Sequence, residues 1–480
     1  MMLRTLVAAL ATGPVAVAQF APVLPFPRTL DLVLVDSTLD GIWRLSDLNL
    51  DGDYNDAGEV VAIYDDVAGT VQWTSPTAIV AAEDGTIYAA DTAFDRILRH
   101  RDLNGDGDML DAGEHGIFFD PSNAGGLLIA TPQGLTVDAI GRVFVAVANA
   151  GSPAVGSDTI LKLEDLNLDG DANDAGEAVE WYIVPNSATP LGNSIPTKVA
   201  VGPDLAVYYT ENASTVGGPN TKGVWRLFDL NSNGNANDPG EATLFWTPPF
   251  TASPFYWSLA IDASGVCYVT DHSANRQIWR GVDANANGSI EPTEQTLFWS
   301  QPTAALWWDV VLRDDGTVLV IDDQTPDRVV ALRDLNADGD ATDLGEQSNA
   351  YDSTVSATAI APRGGAMMRA PRLQLAPATV PIGQATSFVT AANKPGDLGI
   401  AVFSIGLGGP FPVAPWGNVE IDISGFVVLG FGLADATGTF AWPFAVPNTA
   451  AAIGTYGVQT LCGDAIRLFL SNAALLTITP

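Results

Sequence analysis

Residues 165–177 read DLNLDGDANDAGE, and the string returns along the chain. It appears as DLNLDGDYNDAGE at 47–59, DLNGDGDMLDAGE at 102–114, DLNSNGNANDPGE at 229–241, DANANGSIEPTE at 283–294 and DLNADGDATDLGE at 334–346. Six related strings at 51- to 64-residue spacing define a repeat architecture. The flanks repeat as well. GIWRL, RILRH, TILKL, GVWRL, QIWRG and RVVAL precede the loops; EVVAIY, HGIFF, AVEWYI, ATLFW, TLFW and QSNAY follow them. Between units lies a pair of short apolar runs around a Gly turn, such as AIVAAEDGTIYAAD at 78–91 and DVVLRDDGTVLVID at 309–322. Each unit therefore holds four strands: A and B around the turn, C before the acidic loop, D after it. Four strands per unit is the pattern of propeller blades.

Blade bookkeeping gives the closure. Complete A-to-D units start near Ala78, Gly134, Thr197, Trp257 and Trp307. Residues 30–64 supply only B, C and D, and the segment VSATAIAPRGG at 355–365 is expected to supply the missing A. The expectation is an all-β fold: a six-bladed β-propeller over 30–366, closed by strands from both ends, then a small β-sandwich over 371–480, where alternating runs are separated by Gly, Pro, Asn and Asp. The sandwich carries no visible chemistry; an accessory binding or anchoring role is expected of it.

The runs GLTVDAIGRVFVAV at 134–147 and SLAIDASGVCYVTD at 258–271, the latter followed by RQIWR, resemble the repeats of NHL-type and gluconolactonase-like six-bladed propellers. That resemblance covers about residues 30–366 and bears on fold more than on activity, because propellers host many functions.

The chain has 480 residues and a formal net charge of −35, although only 16% of its residues are charged. Such a surface repels phosphate backbones, which excludes nucleic acid and favours divalent cations. At the N-terminus, Arg4, the apolar run after it and Ala16-Val17-Ala18 read as a secretory signal over residues 1–18, with Gln19 as the mature start and 19–29 as a linker. Export outside the cell or to its surface follows, with no transmembrane segment expected. Cys267 and Cys462 are expected to be buried apolar side chains rather than a disulfide framework.

The loops carry oxygen ligands at every second position with a Gly for the sharp turn, which suits calcium. The ligand set expected is Asp47, Asn49, Asp51, Asp53, Asp56 and Glu59 in the first loop. It is Asp102, Asn104, Asp106, Asp108, Asp111 and Glu114 in the second, and Asp165, Asn167, Asp169, Asp171, Asp174 and Glu177 in the third. The fourth offers Asp229, Asn231, Asn233, Asp238 and Glu241; the fifth Asp283, Asn285, Asn287 and Glu294; the sixth Asp334, Asn336, Asp338, Asp340, Asp343 and Glu346. The loops resemble those of EF-hands, dockerins and thrombospondin type 3 repeats, but no helices flank them and the last Glu falls at position 13 in all but the fifth. Either Asp56 or Glu59 then closes the shell of the first loop. Fewer carboxylates in the fourth and fifth loops mean weaker binding. Magnesium fits such carboxylate-rich loops less well, and zinc lacks His or Cys partners.

On the opposite face the B strands end in Asp36, Asp91, Asn149, Glu211, Asp271 and Asp322. In the gluconolactonase-like family, such side chains near the channel mouth hold a divalent metal, and the resemblance implies the same role for this ring, with lactone or ester hydrolysis as the reaction. The bland reading is that these residues cap turns. Trp73, Tyr256, Trp257, Trp307 and Trp308 lie in the connections to the A strands; His100, His115 and His272 form no visible cluster; and no Ser-His-Asp, P-loop or HExxH pattern is present. The function expected is a monomeric calcium-binding module for an extracellular protein or carbohydrate ligand, with the metal-dependent hydrolase as the alternative.

Overall fold

The computed structural model describes residues 31–480 except 37, 48–50, 70, 83–84, 103–106, 139, 149–157, 168, 185–193, 213–220, 251–253, 273–274, 302–306, 314, 357, 369–371, 377–378, 392–397, 405–406, 414–416, 422–426, 434–438, 464–467 and 471–473. The proposed signal segment, Asn49, Asn104, Asp106 and Asn149 lie outside the described residues.

Six four-stranded antiparallel sheets follow one another in chain order. Blade 2 runs Pro76–Ala81, Ile87–Asp91, Arg96–His100 and His115–Phe119; blade 3 runs Pro132–Val137, Val143–Val147, Thr159–Leu163 and Ala178–Ile183. Blade 4 is Pro196–Val201, Val207–Glu211, Gly223–Leu227 and Ala242–Trp246; blade 5 is Tyr256–Ile261, Cys267–Asp271, Gln277–Gly281 and Gln295–Ser300. Blade 6 is Trp307–Leu312, Val318–Asp322, Arg328–Leu332 and Gln347–Asp352. Blade 1 takes B, C and D from Asp31–Asp36, Gly41–Leu45 and Val60–Asp65, and its A strand from Pro362–Met368 at the far end of the repeat. That strand pairs antiparallel with Asp31–Asp36, from Asp31 opposite Met368 to Asp36 opposite Pro362. It begins late in the segment expected to form it and runs three residues past it. Each A strand packs against the A strand of the next blade around the whole ring, so the A strands form the inner wall.

Every B-strand residue is buried in all six blades. A strand covered on both faces by neighbouring blades cannot show the polar alternation of a half-exposed strand, hence the continuous apolar runs in the sequence. The D strands, at the outer rim, mix buried and exposed positions.

Beyond the ring, a three-stranded sheet (Arg372–Ala376, Ala385–Ala391, Thr439–Ala445) and a larger sheet built on Leu398–Ser404, Gly454–Gly463 and Ala474–Thr479 share one core. Phe388, Phe440 and Phe444 from the first meet Phe403, Tyr456, Val458 and Leu476 from the second, which makes a sandwich. The one helical turn among the described residues is the 3-10 segment Ala450–Ala452, and no helix is long and apolar enough to cross a membrane. Cys267 is buried and its thiol is pushed well up by desolvation; the side chain of Cys462 lies outside the described residues.

Candidate functional site

The acidic loops share one internal hydrogen-bond plan. The first Asp accepts from the amide of the turn Gly in every copy: Asp47 from Gly52, Asp102 from Gly107, Asp165 from Gly170, Asp229 from Gly234, Asp283 from Gly288 and Asp334 from Gly339, at 2.8–3.0 Å. Those glycines sit at φ between 88° and 101°, a region that a side chain opposes. The closing Glu is buried in five loops, at most 3% exposed, and half-buried at Glu294, and in every loop it accepts from backbone amides inside the loop. Glu177, for example, takes the amides of Leu166, Asn167 and Asp174 at 2.9, 3.2 and 3.1 Å. Between these fixed ends, side-chain oxygens converge. Asn167 Nδ2 donates to Asp169 Oδ2 and Asp174 Oδ2 at 3.0 and 2.7 Å, and Asn336 repeats this with Asp338 and Asp343. In the fourth loop, Asn231 and Asn233 both donate to Asp238. Among the described residues, no three His, Cys, Asp or Glu side chains gather as a ready metal cage; carboxylates meet in pairs with an amide between them. This donor set of carboxylate and amide oxygens fits calcium chemistry.

The same loops reach across to the neighbouring blade. The residue two places after the turn Gly is buried in all six, and its amide donates to a carbonyl on the D strand of the preceding blade. Met109 bonds to Ile63, Ala172 to Phe118, Ala236 to Trp181, Ile290 to Phe245, Ala341 to Phe298, and Tyr54 closes the ring on Ala350, all at 2.7–2.8 Å. In every blade the accepting residue is the one skipped by a register shift between strands C and D. A β-bulge turns that carbonyl out of the ladder toward the next blade's loop. Asn55, Asn173 and Asn237 add side-chain bonds to the amides of Asp352, Asp120 and Ile183. The guanidinium groups of Arg44, Arg99 and Arg280, all on C strands, approach within 3.8, 2.8 and 3.7 Å of where a Cβ would stand on Gly107, Gly170 and Gly339 of the following loop.

The opposite face corrects part of the sequence reading. The described B-strand acids do not converge on a metal. Asp36 accepts from Thr38, Leu39 and Ala361; Glu211 from Ser194 and Ile195; Asp271 from Phe255 and Asn275. Asp91 and Asp322 pair with Arg96 at 3.0 Å and Arg328 at 2.8 Å. Burial pushes the Asp91 carboxyl up, and Arg96 works against that shift. These side chains cap the connection into strand A, because each lies opposite the first residue of that strand. Trp73, Tyr256 and Trp307 are buried between blades. His100 and His115 do come together, at opposed positions of two strands with ring centroids 6.5 Å apart, around Tyr64. His100 is fully buried and His115 half-buried, and nearest-neighbour reading along the chain misses a cross-strand pair.

What does gather at the channel mouth is aromatic. His272 and Trp308 each lie with ring centroids 4.9 and 5.0 Å from Trp257, and Arg363 places its guanidinium 4.6 Å above Trp308. Arg363 Nε is 3.4 Å from Asp323, whose carboxyl is raised by burial, as is that of neighbouring Asp327. On the inner wall, Lys198 Nζ pairs with Asp309 at 2.7 Å, and Ser258 and the Gly365 amide bond to the same carboxylate.

No family model and no curated protein matches the chain. Solved structures similar to it include virginiamycin B lyase from Staphylococcus aureus in a catalytically inactive form with quinupristin (15% identity, TM-score 0.41, covering 77% of this chain and 94% of that one). A protein of unknown function from Bacteroides caccae (13%, 0.42, 71% and 99%) and the PQQ-bound aldose sugar dehydrogenase of Streptomyces coelicolor (13%, 0.39, 68% and 90%) are also similar. None of these likenesses carries a function to this chain.

Proposed function

We propose that the chain is an exported, calcium-stabilised propeller that works as a binding module outside the cell. The observation that carries this reading is the docking of every acidic loop onto the preceding blade. Asp169 and Asp174, or Asp338 and Asp343, would hold the ion with the Asn between them, and the bound ion would offset the repulsion of carboxylates crowded in one loop. A stiffened loop then holds two blades together. The fourth loop, with Asn233 and Asn235 where other loops have Asp, and the fifth, with Asn287 and Ser289, bind more weakly. Affinity on the order of 10⁻⁴–10⁻³ M suits a structural role in an extracellular setting. The B-strand acids spend their oxygens on amides and arginines, which supports binding over metal-assisted hydrolysis.

The test is a thermal melt of the purified protein with millimolar calcium and after chelation. Calcium is expected to raise the melting temperature and chelation to lower it. A melting temperature indifferent to calcium overturns the reading.

A further inference from the structure

The geometry points to a saccharide-binding site at the channel mouth where blades 5, 6 and 1 meet, formed by Trp257, His272, Trp308, Asp323, Asp327 and Arg363. The inference rests on the reading of the propeller as a binding module and names the ligand class.

The argument starts from departures within the repeat. The second residue of strand A ties neighbouring blades where it is Thr: Thr77 Oγ1 donates to the Pro132 carbonyl and Thr197 Oγ1 to the Tyr256 carbonyl. Blades 5, 6 and 1 place Trp257, Trp308 and Arg363 at that position instead, and all three remain half-buried. The residue after the B-strand acid shows the same break. Thr92 and Asn212 donate to the next blade's first A-strand carbonyl, and His272 Nδ1 does so to Trp307 at 3.1 Å. A carbonyl only accepts, so Nδ1 donates this bond. Blade 6 has Asp323 there, and its carboxyl turns to Arg363 instead. Three adjacent blades thus carry two indoles and a guanidinium in place of the tying hydroxyl, with a carboxylate in blade 6, while the His272 imidazole keeps its tie and stacks on Trp257.

The ligand class follows by elimination. A net charge of −35 disfavours anions. Arg363 stands over one face of the Trp308 indole, and its positive charge disfavours a cationic ligand beside it. A neutral ligand remains, and it must match apolar ring surfaces beside a carboxylate and a guanidinium. Sugars do so: their C–H faces pack on indoles, and their vicinal hydroxyls donate to Asp323 and accept from Arg363.

The probes are cellohexaose, laminarihexaose, maltohexaose and chitohexaose, titrated against the full chain with calcium present. Binding is read by calorimetry and by saturation transfer to sugar C–H protons. At least one oligosaccharide is expected to bind, with Trp308→Ala and Asp323→Asn each weakening it by roughly tenfold or more. Arg363→Gln, which keeps the apolar stem and a terminal N–H donor while removing the charge, guards against loss of fold and should weaken binding while the melting temperature holds. Absence of any saccharide response from folded protein overturns the proposal, and so does affinity unchanged in all three variants. Capture of a non-sugar ligand at this mouth overturns the saccharide assignment and leaves the binding-module reading standing. Neither result bears on the calcium melt, which stands or falls separately.

Discussion

His100 shows what burial does to one side chain. It is fully buried against Tyr64 and Trp73, and neither ring nitrogen has a hydrogen-bond partner among the described residues. Desolvation, with smaller contributions from His115 and Arg99, pushes its pKa down to about 3. The folded state therefore refuses a proton that the unfolded chain accepts below about 6.5, and stability falls as pH drops from there toward 3. The loss amounts to roughly 2 kcal/mol between pH 6.5 and 5. Denaturant unfolding of the native protein and His100→Leu across that range should show the native protein losing stability relative to the variant as pH falls. Parallel pH profiles for the two proteins would contradict the account. Residue-level function was the hardest thing to read in the sequence. Asp322 stands out at the end of an apolar run, yet it caps a turn, while Asp323 beside it faces Arg363. Neither the alternation of a strand nor a turn signal separates two adjacent acids; only the place of the next blade's arginine does.

At the scale of the element, the decisive device is the pairing of loop and bulge. Its two buried partners trade volume around the ring. Where the bulge residue is Phe118, Trp181 or Phe298, the loop contributes Ala172, Ala236 or Ala341; where the bulge residue is Ala350, the loop contributes Tyr54. The other two pairs, Met109 against Ile63 and Ile290 against Phe245, keep two sizeable residues. Tyr54→Ala should cost about 3–5 kcal/mol by opening a cavity. Adding Ala350→Phe restores the arrangement found at Phe118 and Ala172 and should recover part of that loss. A denaturant double-mutant cycle checks it, and a strictly additive result would break the volume argument. The loops and strands were legible because they repeat with clear turn chemistry. The bulges were not: a skipped residue in HGIFF or AVEWYI leaves no mark in an apolar run, and its purpose lies in another blade.

Across the whole molecule, the six clasps are alike except at the seam. Each C strand from blade 1 to blade 5 carries Arg44, Arg99, Lys162, Arg226 or Arg280 at its fourth position, but blade 6 carries Ala331. The loop of blade 1, which docks on blade 6, keeps its Asp-rich composition without that neighbouring cation. Ala331 is 2% exposed in the core shared by blades 6 and 1, so a cation has no place there, and Ala331→Arg should destabilise the protein by about 1–3 kcal/mol through overpacking. Calorimetric melts of the native protein and the variant test this; an unchanged or raised melting temperature would contradict it. Blade number and the two-ended closure were readable at this scale because the surplus and the shortage of strands match. The central tie of Lys198 to Asp309 was not, because it joins residues more than one hundred positions apart.

The clasps also have a direction. Each loop reaches back to a blade made earlier in the chain, so during synthesis a new blade meets its docking carbonyl already in place. Only the loop at Tyr54 waits, because Ala350 emerges last of all the acceptors. Assembly is thus a succession of local steps followed by one long-range event, and that last event also brings Pro362–Met368 to Asp31–Asp36. A chain stalled before residue 350 would hold five clasps' worth of ordered blades around an open gap, with the first loop's buried Tyr54 left bare to water.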